Sequence, residues 1–464
     1  MNFETRFKNF QTVLNIWSQR DLSFKGKTTI LKTLAIPQLL YACSMLYVPN
    51  TFITKVNNSI QRFFWNNKPA KIKSSTIIAD YMHGGLRVPH FPSMIRSQKI
   101  TWITRMTYSK NENWKNLALN LSSVTKYQLT CKFNTQFCDG VPSQYYKQIL
   151  DYWYEYHAIE PHDTDIFNES IWNNIFITVG CKPIKLRQGL FDKGIQNIGN
   201  LVDKNGEFYE INALKEMYSI EISHMYYNSI KNAIPMRWRK KMKETQTKLD
   251  TRNINKDSCC CANLKSKDIY WKIVTPLTAV PTAVHRWISE FPFLNDNDIQ
   301  NFYLLPYRIT KDTRIFTLQY KLLNRIIPTR QMLYTWKITN SAKCLLCSNI
   351  DTVEHLFFEC TESRHFWNNI EKWISSLLEE NIKLSITDVL FGIPFSSDNE
   401  ILYCVNYVIL QGKHYIYNNK TKSKTLFFLH FLQKLKSEIE IEYVRLSYIG
   451  NENPHPLDVM FRNV

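Results

Sequence analysis

Four side chains constrain this sequence more than any other feature: Cys344-Leu-Leu-Cys347, then His355 after seven intervening residues, then Cys360 after four more. Two thiolates on a short turn, joined by an imidazole and a thiolate from a helix or second turn, supply the four soft donors that a tetrahedral zinc ion requires. Four protein ligands leave no position for water, so the metal is expected to hold the fold together and not to catalyse. The competing reading is a set of buried free cysteines. The sequence has eleven cysteines, and its opening stretch Met1–Phe10 is charged and lacks the apolar core of a secretory leader. Reduced thiols inside a cell are therefore expected, and metal ligation is weighed before disulfides. Leu356, Phe357 and Phe358 lie between the last two ligands and should pack a small lobe.

Around that lobe the chain reads as mainly α. Only 12 of 464 residues are glycine, which leaves little material for phosphate-cradling loops or tight hairpins. Apolar residues recur at helical spacing in Phe52, Val56, Ile60, Phe63 and Phe64, in Phe366, Ile370, Trp373 and Leu377, and in Phe428, Leu432, Leu435 and Ile439. A further helix is expected to begin near Ser23, with Ile30, Leu31 and Leu34 inward and Lys25, Lys27 and Lys32 outward. Three regions are expected: a basic helical domain over 1–110, a connector over 111–265 that ends in a linker near Lys248–Cys261, and a helical domain over 266–464 that carries the zinc motif at about 340–370.

The net charge is +18, and it is unevenly placed. Residues 1–110 hold 16 Lys and Arg against Glu4, Asp21 and Asp80, which makes +13 in that region alone. Such a face attracts a polyanion, with nucleic acid ahead of an anionic membrane surface. A second basic run, Arg237, Arg239, Lys240, Lys241 and Lys243, encloses Trp238. Runs of this kind are usually solvated helix faces, and the enclosed indole adds the option of nucleic-acid contact. Thr33–Thr54 has no charge over 22 residues, but Pro37, Gln38, Pro49 and Asn50 interrupt it, so a buried helix pair is expected, with no membrane span and a soluble chain.

Other motifs fall short. Gly26-Lys27-Thr28 ends like a phosphate-binding loop, yet Asp21 stands where that loop needs glycine. Cys259, Cys260 and Cys261 are too close together to chelate one ion without strain. Cys131 with Cys138, and His162 with Asp163 and Asp165, are bare loop clusters. There is no Gly-x-Ser-x-Gly elbow and no Asp-Asp pair, and a metal-dependent polymerase needs clustered carboxylates.

Trp17, Arg20, Leu22, Ser23, Gly26, Lys27, Ile30, Leu31, Lys32, Pro37 and Tyr41, then Phe63-Phe64-Trp65 and Gly84-Gly85-Leu86-Arg87-Val88-Pro89, resemble the segment that follows the catalytic palm in reverse transcriptases of LINE-type (non-LTR) retrotransposons. Ser266 to Trp271, Gln319-Tyr320-Lys321 and the quartet through Cys360 are similar to that family's C-terminal zinc-binding region. The resemblance implies a thumb in the first region, a wrist-like connector in the second and an RNA-binding zinc domain in the third. RNA or RNA–DNA duplex would be the partner. Arg20, Lys25, Lys27, Lys32, Arg62 and Arg87 would be phosphate contacts, and Cys344, Cys347, His355 and Cys360 the zinc ligands. The family's palm, with its aromatic-x-Asp-Asp motif, and its endonuclease have no counterpart here, so the expectation is a fragment that would not itself polymerise DNA and whose further partners would be those parts. The alternative function is a zinc-stapled helical scaffold for protein contacts.

Overall fold

The computed structural model describes residues 2–108, 112–123, 125, 129, 141–161, 163–203, 205–244, 265–394 and 399–447. The fold is mainly α, with 66% of the described residues in helices. Among the described residues the only sheet is a two-stranded one, Thr178–Val179 antiparallel to Lys182–Pro183. Glycine scarcity leaves a mark on the turns. Twelve described non-glycine residues, among them Asn66, Asn67, Lys337 and Ser348, adopt positive φ, against five glycines. Where glycine is retained, close approach demands it: a Cβ on Gly85 would lie 2.0 Å from the Ala79 carbonyl oxygen.

The chain forms two compact units, each assembled from separated stretches of sequence. The first comprises Met1–Phe10, Ile36–Ser59 and His90–Leu277. Its centre is the helix Phe91–Tyr108, packed by the helices Pro37–Met45, Gln144–His157 and Ser266–Val274. Gln148 clamps the break after Pro37–Met45 by donating to the Val48 carbonyl at 2.7 Å and accepting from the Val48 N–H at 3.0 Å. Lys99 is buried, donates to the Leu46 carbonyl and lies 4.0 Å from the centre of the Tyr145 ring. A second core in this unit gathers Trp172, Phe191, Leu214, Tyr227 and Trp238.

The second unit comprises Gln11–Ala35, Ile60–Pro89 and Thr278–Val464. The Ser23 hydroxyl accepts from the Gly26 N–H at 3.1 Å and starts the helix Phe24–Ile30, which packs on Thr313–Leu323. Phe24 stacks on Phe64 at 5.3 Å and meets Tyr320 edge-on at 5.8 Å. The chain then widens into a π-helical turn, Leu31–Ala35. That extra residue per turn shifts the buried face. Leu31 and Ala35 become fully buried and Leu34 is exposed, contrary to the simple helical stripe. The longest helix among the described residues, Glu400–Lys420, is buried along most of its length and packs on Asp296–Ile309, Thr313–Leu323 and Phe428–Ser447.

Between Thr33 and Thr54 the chain breaks after Met45 and restarts at Asn50, as the interrupting prolines and polar residues imply. Among the described residues no helix is long and apolar enough to cross a membrane.

Candidate metal centre and basic surface

The metal centre is built on backbone geometry. The Cys344 N–H donates to the Asn349 carbonyl at 2.7 Å, and the Ser348 N–H returns to the Cys344 carbonyl at 3.1 Å. Ser348 takes φ 64°, and Lys343 and Ile350 form an antiparallel bridge across the base. This knuckle turns both thiols of the Cys-x-x-Cys pair to one side. The Thr352 hydroxyl accepts from the His355 N–H at 3.0 Å, where the π-helical turn His355–Glu359 begins. Cys360 ends that turn and occupies the N-cap of the helix Thr361–Leu378, which sets its sulfur near the N–H groups of Glu362 and Ser363, and these favour the thiolate. A thiolate at a helix N-terminus is stabilised by those donors and by the helix dipole.

The Cys347 Sγ lies 3.1 Å from the His355 Nε2 and 3.8 Å from the Cys360 Sγ, and all four ligand atoms fall within 4.8 Å of one another. A tetrahedral zinc ion with bonds of about 2.3 Å to sulfur and about 2.0 Å to nitrogen has ligand-to-ligand edges of about 3.6–3.8 Å. The two Cys347 distances bracket that range and no pair exceeds it by more than about 1 Å, so the donor set suits such an ion in chemistry and is gathered close to its spacing. Electrostatics agree. Burial, followed by the neighbouring Cys360 and Cys344, pushes the Cys347 thiol up to about 11, so the thiols resist joint ionisation unless a cation sits among them. Burial also raises the Cys360 thiol, but the nearby Lys420 ammonium, with the two helix N–H groups, carries it below its ordinary value. Burial and the Lys420 charge hold His355 below its usual range, which keeps the imidazole neutral and its lone pair available.

Lys420 is the residue that sequence reasoning missed. It stands at the end of Glu400–Lys420, only 8% exposed, and donates to the Leu356 carbonyl at 3.1 Å and to the Ser363 hydroxyl at 3.3 Å. Leu356 follows one ligand and Ser363 follows another by three residues, so one ammonium ties the metal lobe to the longest helix. The Trp367 indole adds a second tie by donating to the Phe357 carbonyl at 2.7 Å.

These features define a helical protein with a closed Cys3His metal centre. Residues 299–367 match the family model for zinc-binding in reverse transcriptase. The matched stretch contains all four candidate ligands and the helix Thr313–Leu323, so this stretch is similar to a zinc-binding region of the reverse-transcriptase-associated type.

The basic residues singled out by sequence have divergent fates. In the second unit Lys25 and Arg87 converge on one aromatic stack. Tyr81 and Tyr307 stack at 4.2 Å, Lys25 Nζ lies 4.4 Å from the Phe316 ring centre and 5.9 Å from that of Tyr307, and Arg87 lies 4.7 Å over Tyr81 while paired with Asp80. Lys32 feels the charges of both Arg87 and Asp80. Lys27 points inward instead, donating to the Phe64 carbonyl at 2.8 Å and to the Asn66 Oδ1 at 2.6 Å. The helical wheel puts it outside the stripe, but the packing of Phe24–Ile30 on Thr313–Leu323 covers that side too. Arg20 lies over the Trp17 ring, and Arg62 is exposed.

In the first unit the run on Met236–Glu244 is ion-paired: Arg237 with Glu160, Lys240 and Lys241 with Glu244, Lys241 also with Asp163, and Lys243 with Glu207. Arg239 is half-buried, and Trp238 is core, donating to the Glu160 carboxylate at 3.3 Å. Cys131, Cys138, His162 and Cys259 to Cys261 lie outside the described residues.

Proposed function

We propose that this chain is a nucleic-acid-binding, C-terminal portion of a LINE-type RNA-directed DNA polymerase, holding RNA or RNA–DNA duplex through its phosphates, with zinc as a structural ion. The observation that carries the reading is the match of 299–367 to zinc-binding in reverse transcriptase, with the Cys344, Cys347, His355 and Cys360 donors inside it gathered close to zinc spacing. The excess of 58 Lys and Arg over 40 Asp and Glu supports a polyanionic partner. Lys25 and Arg87 around the Tyr81–Tyr307 stack, with Lys32 close enough to feel the Arg87 charge, offer one cationic, aromatic patch for it. In this reading the chain does not polymerise. Polymerisation belongs to a palm with paired carboxylates, and such a palm and an endonuclease would be its protein partners. A Cys3His site with every position filled by protein supplies folding energy and no catalytic water.

The test is zinc stoichiometry together with RNA binding in a salt titration, on the intact chain and on Cys347→Ser. One zinc per chain, lost in the variant, is expected, with affinity falling by about 0.7–0.9 log units per phosphate for each log unit of salt. Affinity insensitive to salt would overturn nucleic-acid binding. A protein partner retained equally well after nuclease treatment would favour the scaffold instead.

A further inference from the structure

Between Asp312 and Asp351 the sequence contains no acidic residue, but it contains Arg314, Lys321, Arg325, Arg330, Lys337 and Lys343. Two of these are already committed, Arg314 to Asp312 and Glu438, and Arg325 to Glu290 and Glu354. Lys337 and Lys343 are exposed. The same stretch carries large apolar side chains that the fold leaves in solvent: Tyr334 is 53% exposed, Trp336 45% and Ile338 65%. An isolated exposed ring is ordinary, whereas a cluster of them on a soluble surface marks a contact site.

These rings are held on a fixed turn. At the end of the helix Arg330–Thr335 the Trp336 N–H donates to the Met332 carbonyl, the Lys337 N–H to Tyr334 and the Ile338 N–H to Leu333, all at 2.8–2.9 Å, with Lys337 in the left-handed region at φ 58°. Asp351 ties that helix to the metal knuckle: its carboxylate accepts from the Arg330 N–H at 3.0 Å, and its own N–H donates to the Ala342 carbonyl at 3.0 Å. Lys71, also exposed, reaches over the Trp336 ring at 5.4 Å. The result is an exposed indole under the Lys71 ammonium and an exposed phenol two residues before it, on backbone held by its own hydrogen bonds.

We infer that Tyr334 and Trp336, flanked by Lys71, Lys337 and Lys343, form a stacking platform for unpaired bases of a single-stranded nucleic acid. The inference rests on the nucleic-acid reading above and gives it a location. Exposed rings accept the faces of bases, which a duplex hides in its own stack, while the surrounding ammonium groups take the phosphates. A purely apolar protein partner would have no use for the exposed Lys71, Lys337 and Lys343 ammonium groups.

The experiment compares the zinc-loaded full chain with Trp336→Ala, Tyr334→Ala and Trp336→Phe by fluorescence anisotropy. The probes are an oligouridylate, an abasic strand with the same number of phosphates, and a matched duplex. The wild type should bind the base-bearing strand more tightly than the abasic one, and removing one ring should cost between about 5- and 150-fold on the base-bearing strand alone. Trp336→Phe should retain most of the preference. The salt slope should be unchanged in Trp336→Ala and should fall by about one in Lys343→Ala. Zinc content reports whether each variant is folded, and Tyr334→Ala tests the platform if Trp336→Ala is not. Equal affinity for base-bearing and abasic strands, with a normal salt slope, overturns the platform and leaves the nucleic-acid reading standing. Absence of salt-dependent binding to every strand overturns both. Self-association abolished by Trp336→Ala, with no difference between strands, would give the patch to a second copy of the chain and overturn the platform.

Discussion

Replacing Lys420 by methionine should weaken zinc binding by about 10- to 100-fold. Three thiolates and a neutral imidazole around a divalent cation carry a net charge of −1, and Lys420 is the buried cation set against them, its charge favouring the Cys360 thiolate. Outer-shell partners of metal ligands are typically worth 10–100-fold in affinity, or about 1.4–2.7 kcal/mol at 1.36 kcal/mol per decade. Coulomb's law gives about 4 kcal/mol for unit charges 4 Å apart at an effective dielectric of 20, so the outer-shell range is the conservative figure. The assay is competition with a chromophoric chelator. An internal control exists two turns away on the same helix face. Lys413, also buried, donates to the Gln319 Oε1 at 2.6 Å and the Leu390 carbonyl at 3.1 Å, neither of them in the metal lobe. Lys413→Met should disturb stability while leaving zinc affinity within about twofold, and Lys420→Arg should recover part of the loss. If Lys420→Met binds zinc as the wild type does, or if the two methionine variants lose zinc alike, the charge-compensation argument fails.

Further outcomes follow from the same geometry. Cys347→Ser should unfold at the temperature of the chelator-treated wild type, because a closed four-ligand site contributes directly to folding; a scan with and without chelator tests it. Burial lowers Lys413 to about 7, so from about pH 7 to about pH 10 the unfolded chain binds the proton that the folded one sheds. Stability should therefore rise with pH across that window, by at most about 2–3 kcal/mol between pH 7 and 9, and Lys413→Met should flatten the rise; parallel urea-denaturation curves for the two proteins would refute this. A Cβ on Gly412 would lie 2.7 Å from the Trp367 ring, which is fully buried and bonded to the Phe357 carbonyl. Gly412→Ala should thus lose about 1–3 kcal/mol to overpacking against about 1 kcal/mol gained in helix propensity, a net loss that urea denaturation would register.

How much of this was legible in the sequence depends on the range over which each feature is encoded. The metal quartet spans 17 residues, and each part is local: a knuckle, a π-helical turn and a cysteine at a helix N-cap. Spacing alone therefore brings the ligands out. Lys420 lies sixty residues beyond Cys360, and nothing about a lysine at the end of a helix says that its ammonium turns inward. The helices themselves were readable from their period, and the exception is physical. The π-helical turn after Ile30 inserts a residue into the face, so Leu34 emerges although its spacing is correct for a regular helix. Trp238 could have been separated from its basic run by its partner four residues on: Trp238 and Met242 form a two-residue apolar stripe, and both are buried.

Charge is the property that sequence reports least faithfully, because a formal count does not distinguish cations that face outward from those the fold consumes. Of the sixteen in residues 1–110, Lys27 and Lys99 are buried donors to carbonyl groups, and Arg87 is paired with Asp80. The densest run, Arg237 to Lys243, is largely matched by Glu160, Asp163, Glu207 and Glu244, carboxylates that the linear order places up to 77 residues away from it. The stretch from Asp312 to Asp351 is less conspicuous in the sequence, since its six cations are spread over 38 residues. Yet Lys337 and Lys343 remain at its surface with no acid between them. Counterion release depends on cations that meet phosphate, not on those that meet carboxylate, so the salt slope should respond to Lys343→Ala and hardly at all to Lys240→Ala. Equal changes in slope for the two would mean that the ion pairs of the basic run open on binding, and the surface would have to be redrawn around Met236–Glu244.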